Sequence, residues 1–327
     1  MKAFVAGATG FIGGRLVDAL ISRGIGVRIL IRDKNRAAPF EERGIECLPG
    51  SIGDAEVLRK GTKDVDFVFS TFGLLGRWGI PERKYREVNV DGVQRLIASC
   101  REGKVKQFIH LSSAGVLGPM AAGQTADESF PYHPTNSYER SKVEAEKRIV
   151  KASREDNLCF TVIRPEFVYG PGDRHVLKLF RAVRKRRFYL LGSGRSLLHP
   201  TYIDDLIGGI GLCLDNPRAM DRTFLITGDK ACAVKELAGI IAGELGIALP
   251  RVRIPLPLAR AAAMIFEAGA RIGRFQPPLT LAQVKFFSEN RVFSWRKAQA
   301  ELGYTPRVDL KEGVKRTVRW YFENGCL

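Results

Sequence analysis

Three glycines near the start of this chain constrain its fold more than any other feature. The segment Gly7-Ala8-Thr9-Gly10-Phe11-Ile12-Gly13 follows the apolar run Ala3-Phe4-Val5-Ala6. It opens a stretch in which Ile12, Leu16, Leu20 and Val17, Ile21 recur at helical spacing before Gly24. A strand that turns through glycines into a helix is built to receive a phosphate. Gly7 permits the tight turn, Gly10 lets the backbone approach a pyrophosphate, and Gly13 lets the helix pack close to the strand. The helix N-terminus then offers free N–H groups and the positive end of its dipole. The segment predicts a dinucleotide site rather than a plain strand-to-helix turn.

The same alternation continues. Further strand-like runs lie at 27–31, 45–48, 66–70, 107–111 and 159–163, with helical patterns between most of them, including 85–100 and 138–153. Strands alternating with helices imply βαβ crossovers, hence an α/β fold with a doubly wound parallel (Rossmann) sheet and its ligand at the carboxyl ends of the strands. Beyond Ile163 the pattern loosens: a helix is expected at about 175–185 and a returning strand at 223–226, and the C-terminal third reads as mainly helical with proline punctuation. The expected division is a dinucleotide-binding domain over 1–170, to which 200–228 returns, and a smaller substrate lobe over 171–199 and 229–327.

Composition narrows the classes. The 327 residues can bury a large core, and no apolar stretch reaches the ~20 residues a membrane span needs. The first strand begins at Lys2, so no secretory leader is expected. Six scattered cysteines without a C-x-x-C pair, and only four histidines, predict no metal site and reduced, mostly buried thiols in a cytoplasmic protein. The net charge of +17 is dispersed, its densest run being Arg184-Lys185-Arg186-Arg187, with no aromatic-interleaved basic stripe. It supports anionic ligands or an anionic membrane surface rather than a nucleic-acid partner.

Two further elements carry chemistry. Tyr138 and Lys142 stand at i, i+4, on one helix face. A phenol titrates near pH ~10, and a neighbouring ammonium lowers that value, so the pair makes an acid/base couple. Alone, this spacing reads first as a surface pair. The run Phe108-Ile109-His110-Leu111 ends in Ser112-Ser113-Ala114-Gly115, which puts a hydroxyl at a strand's carboxyl end, where a substrate carbonyl would lie; a Ser/Thr turn is the plainer reading.

Together the glycine loop, Ser113, Tyr138 and Lys142 resemble the extended short-chain dehydrogenase/reductase family, also called the NAD-dependent epimerase/dehydratase family, most of all its 3β-hydroxysteroid-dehydrogenase-like members. The resemblance spans essentially the whole chain, through Tyr85-Arg86-Glu87-Val88-Asn89-Val90-Asp91-Gly92, Arg164-Pro165-Glu166-Phe167-Val168-Tyr169-Gly170-Pro171-Gly172, Tyr202-Ile203-Asp204-Asp205 and the closing Leu302-Gly303-Tyr304-Thr305-Pro306. It implies an NAD(P)-dependent oxidoreductase. Tyr138 would be the acid/base, Lys142 would lower its pKa and hold the nicotinamide ribose, and Ser113 would orient the reacting oxygen. The cofactor would meet Gly7, Thr9, Gly10, Phe11, Ile12 and Gly13, then Ser51 and Ile52, then Thr71, Phe72 and Gly73, and finally Pro165, Phe167 and Val168. Phe72 replaces the small residue usual there, which narrows the cleft. The resemblance also implies a homodimer paired through the fourth helix and the one bearing Tyr138.

For the cofactor, an NAD-type site places an acid at the end of the second strand. Here Ile31 stands at that place, followed by Arg32-Asp33-Lys34 and Arg36. A guanidinium forks onto a ribose phosphate, so NADP is preferred over NAD, unless Asp33 reaches the ribose instead. For the substrate, Phe167 and Leu197-Leu198-His199-Pro200 occupy positions where nucleotide-sugar members usually carry an asparagine and an arginine. Arg291-Val292-Phe293-Ser294-Trp295 and the apolar helix over 256–272 lean the same way, toward a small-molecule alcohol or ketone with an apolar body. That helix packs the lobe or, with nearby basic residues, touches a membrane surface. Trp78 either caps a substrate or anchors its loop. Two alternatives stay open: a nucleotide-sugar epimerase/dehydratase, and a non-catalytic NADP(H)-binding sensor or subunit.

Overall fold

Ala3, Phe4, Val5 and Ala6 are all fully buried, as a strand covered by helices on both faces must be. Alternate residues go to opposite faces. Ala3 and Val5 join one core cluster with Ile29, Phe69 and Ile109, whereas Phe4 and Ala6 join the other with Leu30, Val68 and Phe108. The computed structural model describes residues 1–156, 158–250 and 252–327. Its main sheet contains β1 (Lys2–Ala6), β2 (Gly26–Ile31), β3 (Glu46–Pro49), β4 (Phe67–Ser70), β5 (Gln107–Leu111), β6 (Phe160–Pro165) and β7 (Arg222–Ile226). The strands run parallel in the order β7-β6-β5-β4-β1-β2-β3. The chain winds outward from β1 through β3, then returns to lay β4 on the other side of β1. That reversal opens a crevice at the carboxyl ends of β1 and β4.

The helices are α1 (Phe11–Ser22), α2 (Ala55–Thr62), α3 (the stretches Glu82–Tyr85, Arg86–Asp91 and Gly92–Glu102), α4 (Ser137–Asp156), α5 (Leu177–Arg184), α6 (Ile203–Cys213), α7 (Val234–Glu244), α8 (Leu256–Gly273), α9 (Leu281–Ser288), α10 (Arg296–Leu302) and α11 (Leu310–Glu323). The middle stretch of α3, Arg86–Asp91, is wound as a π-helix, which periodicity did not foretell. The region after β6 also holds three short ladders that the sequence reading omits: Val168–Tyr169 with Thr201–Tyr202, Leu197–Leu198 with Cys232–Ala233, and Leu190–Leu191 with Arg253–Ile254. Two-residue strands are too short to show a period.

Two motifs of the C-terminal part tie it to α6 and to the end of β7. Asp205 accepts the Arg307 and Val308 backbone N–H groups at 2.9 and 3.2 Å, and the buried Tyr304 hydroxyl donates to the Thr227 carbonyl at 2.7 Å. All six cysteines are unpaired; Cys100, Cys213 and Cys232 are fully buried and the others half-buried. Among the described residues no helix is long and apolar enough to cross a membrane.

Candidate active site

The crevice is lined first by the glycine turn. Gly7 has φ +107°, and a β-carbon on it would lie 2.5 Å from Phe72 N and 2.7 Å from Thr71 Oγ1. A β-carbon on Gly13 would lie 2.1 Å from Gly7 O. The loop after β4 is thus pressed against the turn, and the Thr71 hydroxyl donates to the Ala6 carbonyl at 3.0 Å. At Gly10, the residue before α1, no side chain caps the helix and no acid stands in its first turn. Its leading N–H groups are left for an anion, so the turn fits a dinucleotide pyrophosphate. Phe11 lies beneath Gly172, 3.7 Å from where a β-carbon there would stand, and Ile12 packs on the core. The Phe72 backbone abuts the turn, while its ring lies against Gly92 and, with Ile52, packs on the second core cluster.

Ser113, Tyr138 and Lys142 meet at the end of β5. Ser113 accepts the Gly115 N–H at 3.1 Å, and its hydroxyl faces the Tyr138 phenol. Lys142 is buried and donates to the Leu111 carbonyl at 2.8 Å. One turn further along α4, buried Glu146 receives Arg164 at 2.6 Å and the Tyr132 hydroxyl at 2.8 Å, and also takes the Ser112 hydroxyl. This network ties α4 to the ends of β5 and β6. The electrostatics differ from the sequence expectation. Burial holds the Tyr138 phenol above its ordinary value; the Ser113 hydroxyl opposes this, and the Glu166 and Glu139 charges add to it. Burial also pulls the Lys142 ammonium down to about 8, with Glu146 opposing.

Two residues of α3 shape the other wall. Buried Asn89, inside the π-helical turn, accepts the Leu74 N–H at 2.7 Å and donates to the Leu74 carbonyl at 3.1 Å and to Ser141 Oγ at 2.9 Å. It binds the loop after β4 to α4, and Gly73 comes within 3.5 Å of Lys142 Nζ, measured from the place of a β-carbon. Tyr85 accepts the Arg77 N–H at 2.9 Å, and its ring meets the Tyr138 ring edge-on at 6.5 Å. Trp78 is half-buried in the same loop. The family-like segment 85–92 contains both residues, and an asparagine inside an amphipathic helix is the one local signal of a special role.

The third wall follows β6. Phe167 has φ +39°, a region costly for a residue with a side chain. Thr201 holds it there: its N–H donates to Phe167 O at 3.2 Å and its hydroxyl to Glu166 O at 2.6 Å. The Phe167 ring stacks on Phe286 of α9 at 5.9 Å. Buried Arg291 lies over the Phe286 ring at 5.1 Å and pairs with buried Glu139 at 3.2 Å. His199, one of the residues standing where an anion-binding arginine is usual, is buried between the Gly228 carbonyl and the Phe293 N–H. Pro165 ends β6, and Val168 pairs with Thr201.

Glu166 is buried beside this cluster. Burial pushes its carboxyl up to about 7; Arg291 opposes this and Glu139 adds to it. A carboxyl that ionises less readily folded than unfolded costs nothing below about pH 4; the cost grows as the pH rises from there and is complete just above its folded value. The advantage of Glu166→Gln over the parent is therefore expected to grow by about 2 kcal/mol between pH 5.5 and 8.5. Urea melts at the two pH values measure it, and an equal difference at both would refute the assignment.

At the adenosine end Arg32 is exposed, just past β2. Arg36 donates to the Thr9 carbonyl at 3.1 Å, which puts a second guanidinium on the glycine turn. Asp33 accepts the Asn35 N–H at 3.0 Å and caps a short 3-10 turn. Ser51 Oγ accepts the Gly53 N–H, and Ile52 lies 2.9 Å from the place of a Gly92 β-carbon.

Comparison with known proteins agrees with this geometry. The pattern of the NAD dependent epimerase/dehydratase family matches residues 3–226. The 4-hydroxy-2-methyl-3-oxo-4-farnesyl-3,4-dihydroquinoline-1-oxide ketoreductase of Stigmatella aurantiaca is 27% identical over 319 residues, covering 96% of this chain and 95% of that protein. The 2-alkyl-3-oxoalkanoate reductase of Shewanella oneidensis is 27% identical over 330 residues, covering 96% and 84%. Among solved structures, the UDP-glucuronic acid 4-epimerase of Bacillus cereus in complex with UDP-glucuronic acid and NAD has the same fold, with a TM-score of 0.80, 20% identity and coverage of 99% and 100%.

Proposed function

This chain belongs to the NAD dependent epimerase/dehydratase family and is an NAD(P)-dependent oxidoreductase, and from that premise we propose that it interconverts a ketone and an alcohol with an apolar body, using NADP(H). The observation that carries the substrate class is the Phe167–Phe286 stack, covered by Arg291, which is bound to Glu139, the residue after Tyr138 in α4. This wall offers apolar surface where a nucleotide sugar needs polar and cationic groups. Both relatives named above act, by their names, on ketones with alkyl or isoprenoid parts, which supports the same reading.

When bound, the nicotinamide supplies the hydride. In the proposed mechanism Ser113 and Tyr138 receive the substrate oxygen between them, and Gly115 N–H orients the Ser113 hydroxyl. Tyr138 passes its proton to that oxygen in reduction and takes it back in oxidation. Lys142 and the Pro165–Val168 segment would hold the nicotinamide half, and Gly7 to Gly13 the pyrophosphate. Domain limits at 1–170 with 200–228, and at 171–199 with 229–327, are proposed on the return of β7 to the sheet. A homodimer through the outer faces of α3 and α4 is proposed on the resemblance alone. A cytoplasmic setting is proposed on the six unpaired cysteines.

Purified protein with NADPH and a panel of 3-oxo acids, isoprenoid ketones and sugar nucleotides tests the reading. Ketone-dependent NADPH oxidation is expected, with no thermal stabilisation by UDP or GDP. Strong stabilisation by UDP or GDP without ketone turnover would replace this proposal with the epimerase reading, and cofactor binding without any turnover would favour the sensor.

The NADP preference is supported by Arg32 and Arg36, with Asp33 engaged in its own turn. Arg32→Ala combined with Arg36→Ala is expected to weaken NADPH binding at least about tenfold, the worth of one charge-assisted hydrogen bond. NADH binding should change little. Fluorescence titration of both cofactors checks it; equal losses for the two would count against a ribose-phosphate site.

A further inference from the structure

Helix α8 is built inside out. Its packed face carries the alanines Ala259, Ala263 and Ala270, whereas its outward face carries large apolar side chains. Leu258, Ile265 and Ile272 recur every seven residues and are 62%, 70% and 87% exposed. Met264, Phe266 and Phe275 widen this surface. A helix folded only for its own domain puts its large side chains inward, and a contiguous exposed apolar patch marks a contact surface.

The charges around the patch say what covers it. Arg253, Arg260, Arg271 and Arg274 are all exposed along the same stretch. Over 252–276 the one acidic residue is Glu267, and it turns inward to accept the Leu281 N–H at 2.8 Å. A second copy of the chain would set arginines against arginines across a two-fold contact. An anionic lipid surface satisfies both features, burying the apolar ridge at the headgroup boundary and neutralising the arginines.

We propose that the outward face of α8 docks this protein onto anionic membrane surfaces, with Leu258, Ile265 and Ile272 entering the interface and Arg260, Arg271 and Arg274 meeting lipid headgroups. The neighbouring α9 packs against α8 and carries Phe286, so the docked face lies one helix from the apolar wall of the crevice.

Cosedimentation of the full chain with phosphatidylcholine vesicles, with and without phosphatidylglycerol, tests this without any turnover assay. Binding is expected with phosphatidylglycerol and should weaken as salt rises. Ile265→Glu with Ile272→Glu should reduce it more than about tenfold. Those positions are exposed, so Tm and activity on a soluble ketone should stay as in the parent. Arg260→Ala with Arg271→Ala should weaken binding to anionic vesicles only. No sedimentation with anionic vesicles, or unchanged sedimentation of the glutamate variant, would overturn the proposal. So would loss of a dimer in that variant by light scattering, which would assign the face to a second copy.

Discussion

Tyr138→Phe is expected to lower kcat by about 10²- to 10⁴-fold, the usual contribution of a positioned general acid/base. Cofactor binding should be nearly unchanged. The substitution removes one oxygen and keeps the ring that packs edge-on against Tyr85 at 6.5 Å. What it removes is the hydroxyl facing Ser113, the group proposed to exchange a proton with the substrate oxygen. Because burial holds that phenol high, the proton is strongly retained until a substrate oxygen takes it. The rate should therefore fall in kcat rather than in KM. Steady-state kinetics with a good ketone, beside a fluorescence titration of NADPH, separates the two quantities. A variant that kept most of its turnover would show that Tyr138 is not the acid.

Gly13→Ala is expected to abolish useful cofactor binding, raising the dissociation constant by about 100-fold or more, as an ångström-scale displacement of a binding loop does. The added carbon would sit 2.1 Å from Gly7 O, 2.7 Å from Gly7 C and 2.9 Å from Thr71 Oγ1. Those atoms are backbone or held by backbone, so α1 must move off β1. Overpacking of this kind costs about 1–3 kcal/mol of stability in addition. Gly10→Ala supplies the control. Its β-carbon would meet only Gly7 O, at 3.3 Å, so the fold should be nearly unaffected. Comparable melting temperatures for the two variants would refute the close approach of α1 to the turn. Cofactor titration of Gly13→Ala tests the phosphate site separately.

The two variants also mark how much of the molecule was legible beforehand. The glycine turn, the parallel sheet, and the positions of Ser113 just past β5 and of Tyr138 and Lys142 on α4 follow from local periodicity and spacing, which act over a few residues. Asn89 and Tyr85 were visible as part of a family-like segment, but their task was not. Asn89 works because a π-helical turn aims its amide at Leu74 and Ser141, residues 15 and 52 positions away. Arg36 looked like added positive charge; only the fold lays it on Thr9. Phe72 was read as a residue flanking the cofactor; only the fold lays its ring with Ile52 against Gly92. Glu166 and Arg291 stood in segments that the sequence singles out, but their meeting with Glu139 shows no pattern in sequence, because the three come from the end of β6, from the stretch after α9 and from α4.

By itself the sequence determined that this chain forms an α/β dinucleotide-binding sheet with a tyrosine, a lysine and a serine at one end. Strand and helix periods, and the glycines a phosphate turn needs, are local properties of the chain. Tertiary structure alone decided the state of those groups. Burial raises Tyr138 and Glu166 and lowers Lys142, and desolvation depends on everything packed around a group rather than on its neighbours in the chain. It also decided which side of α8 is outside, and so turned an apolar helix that reads like lobe packing into an exposed ridge edged with arginines.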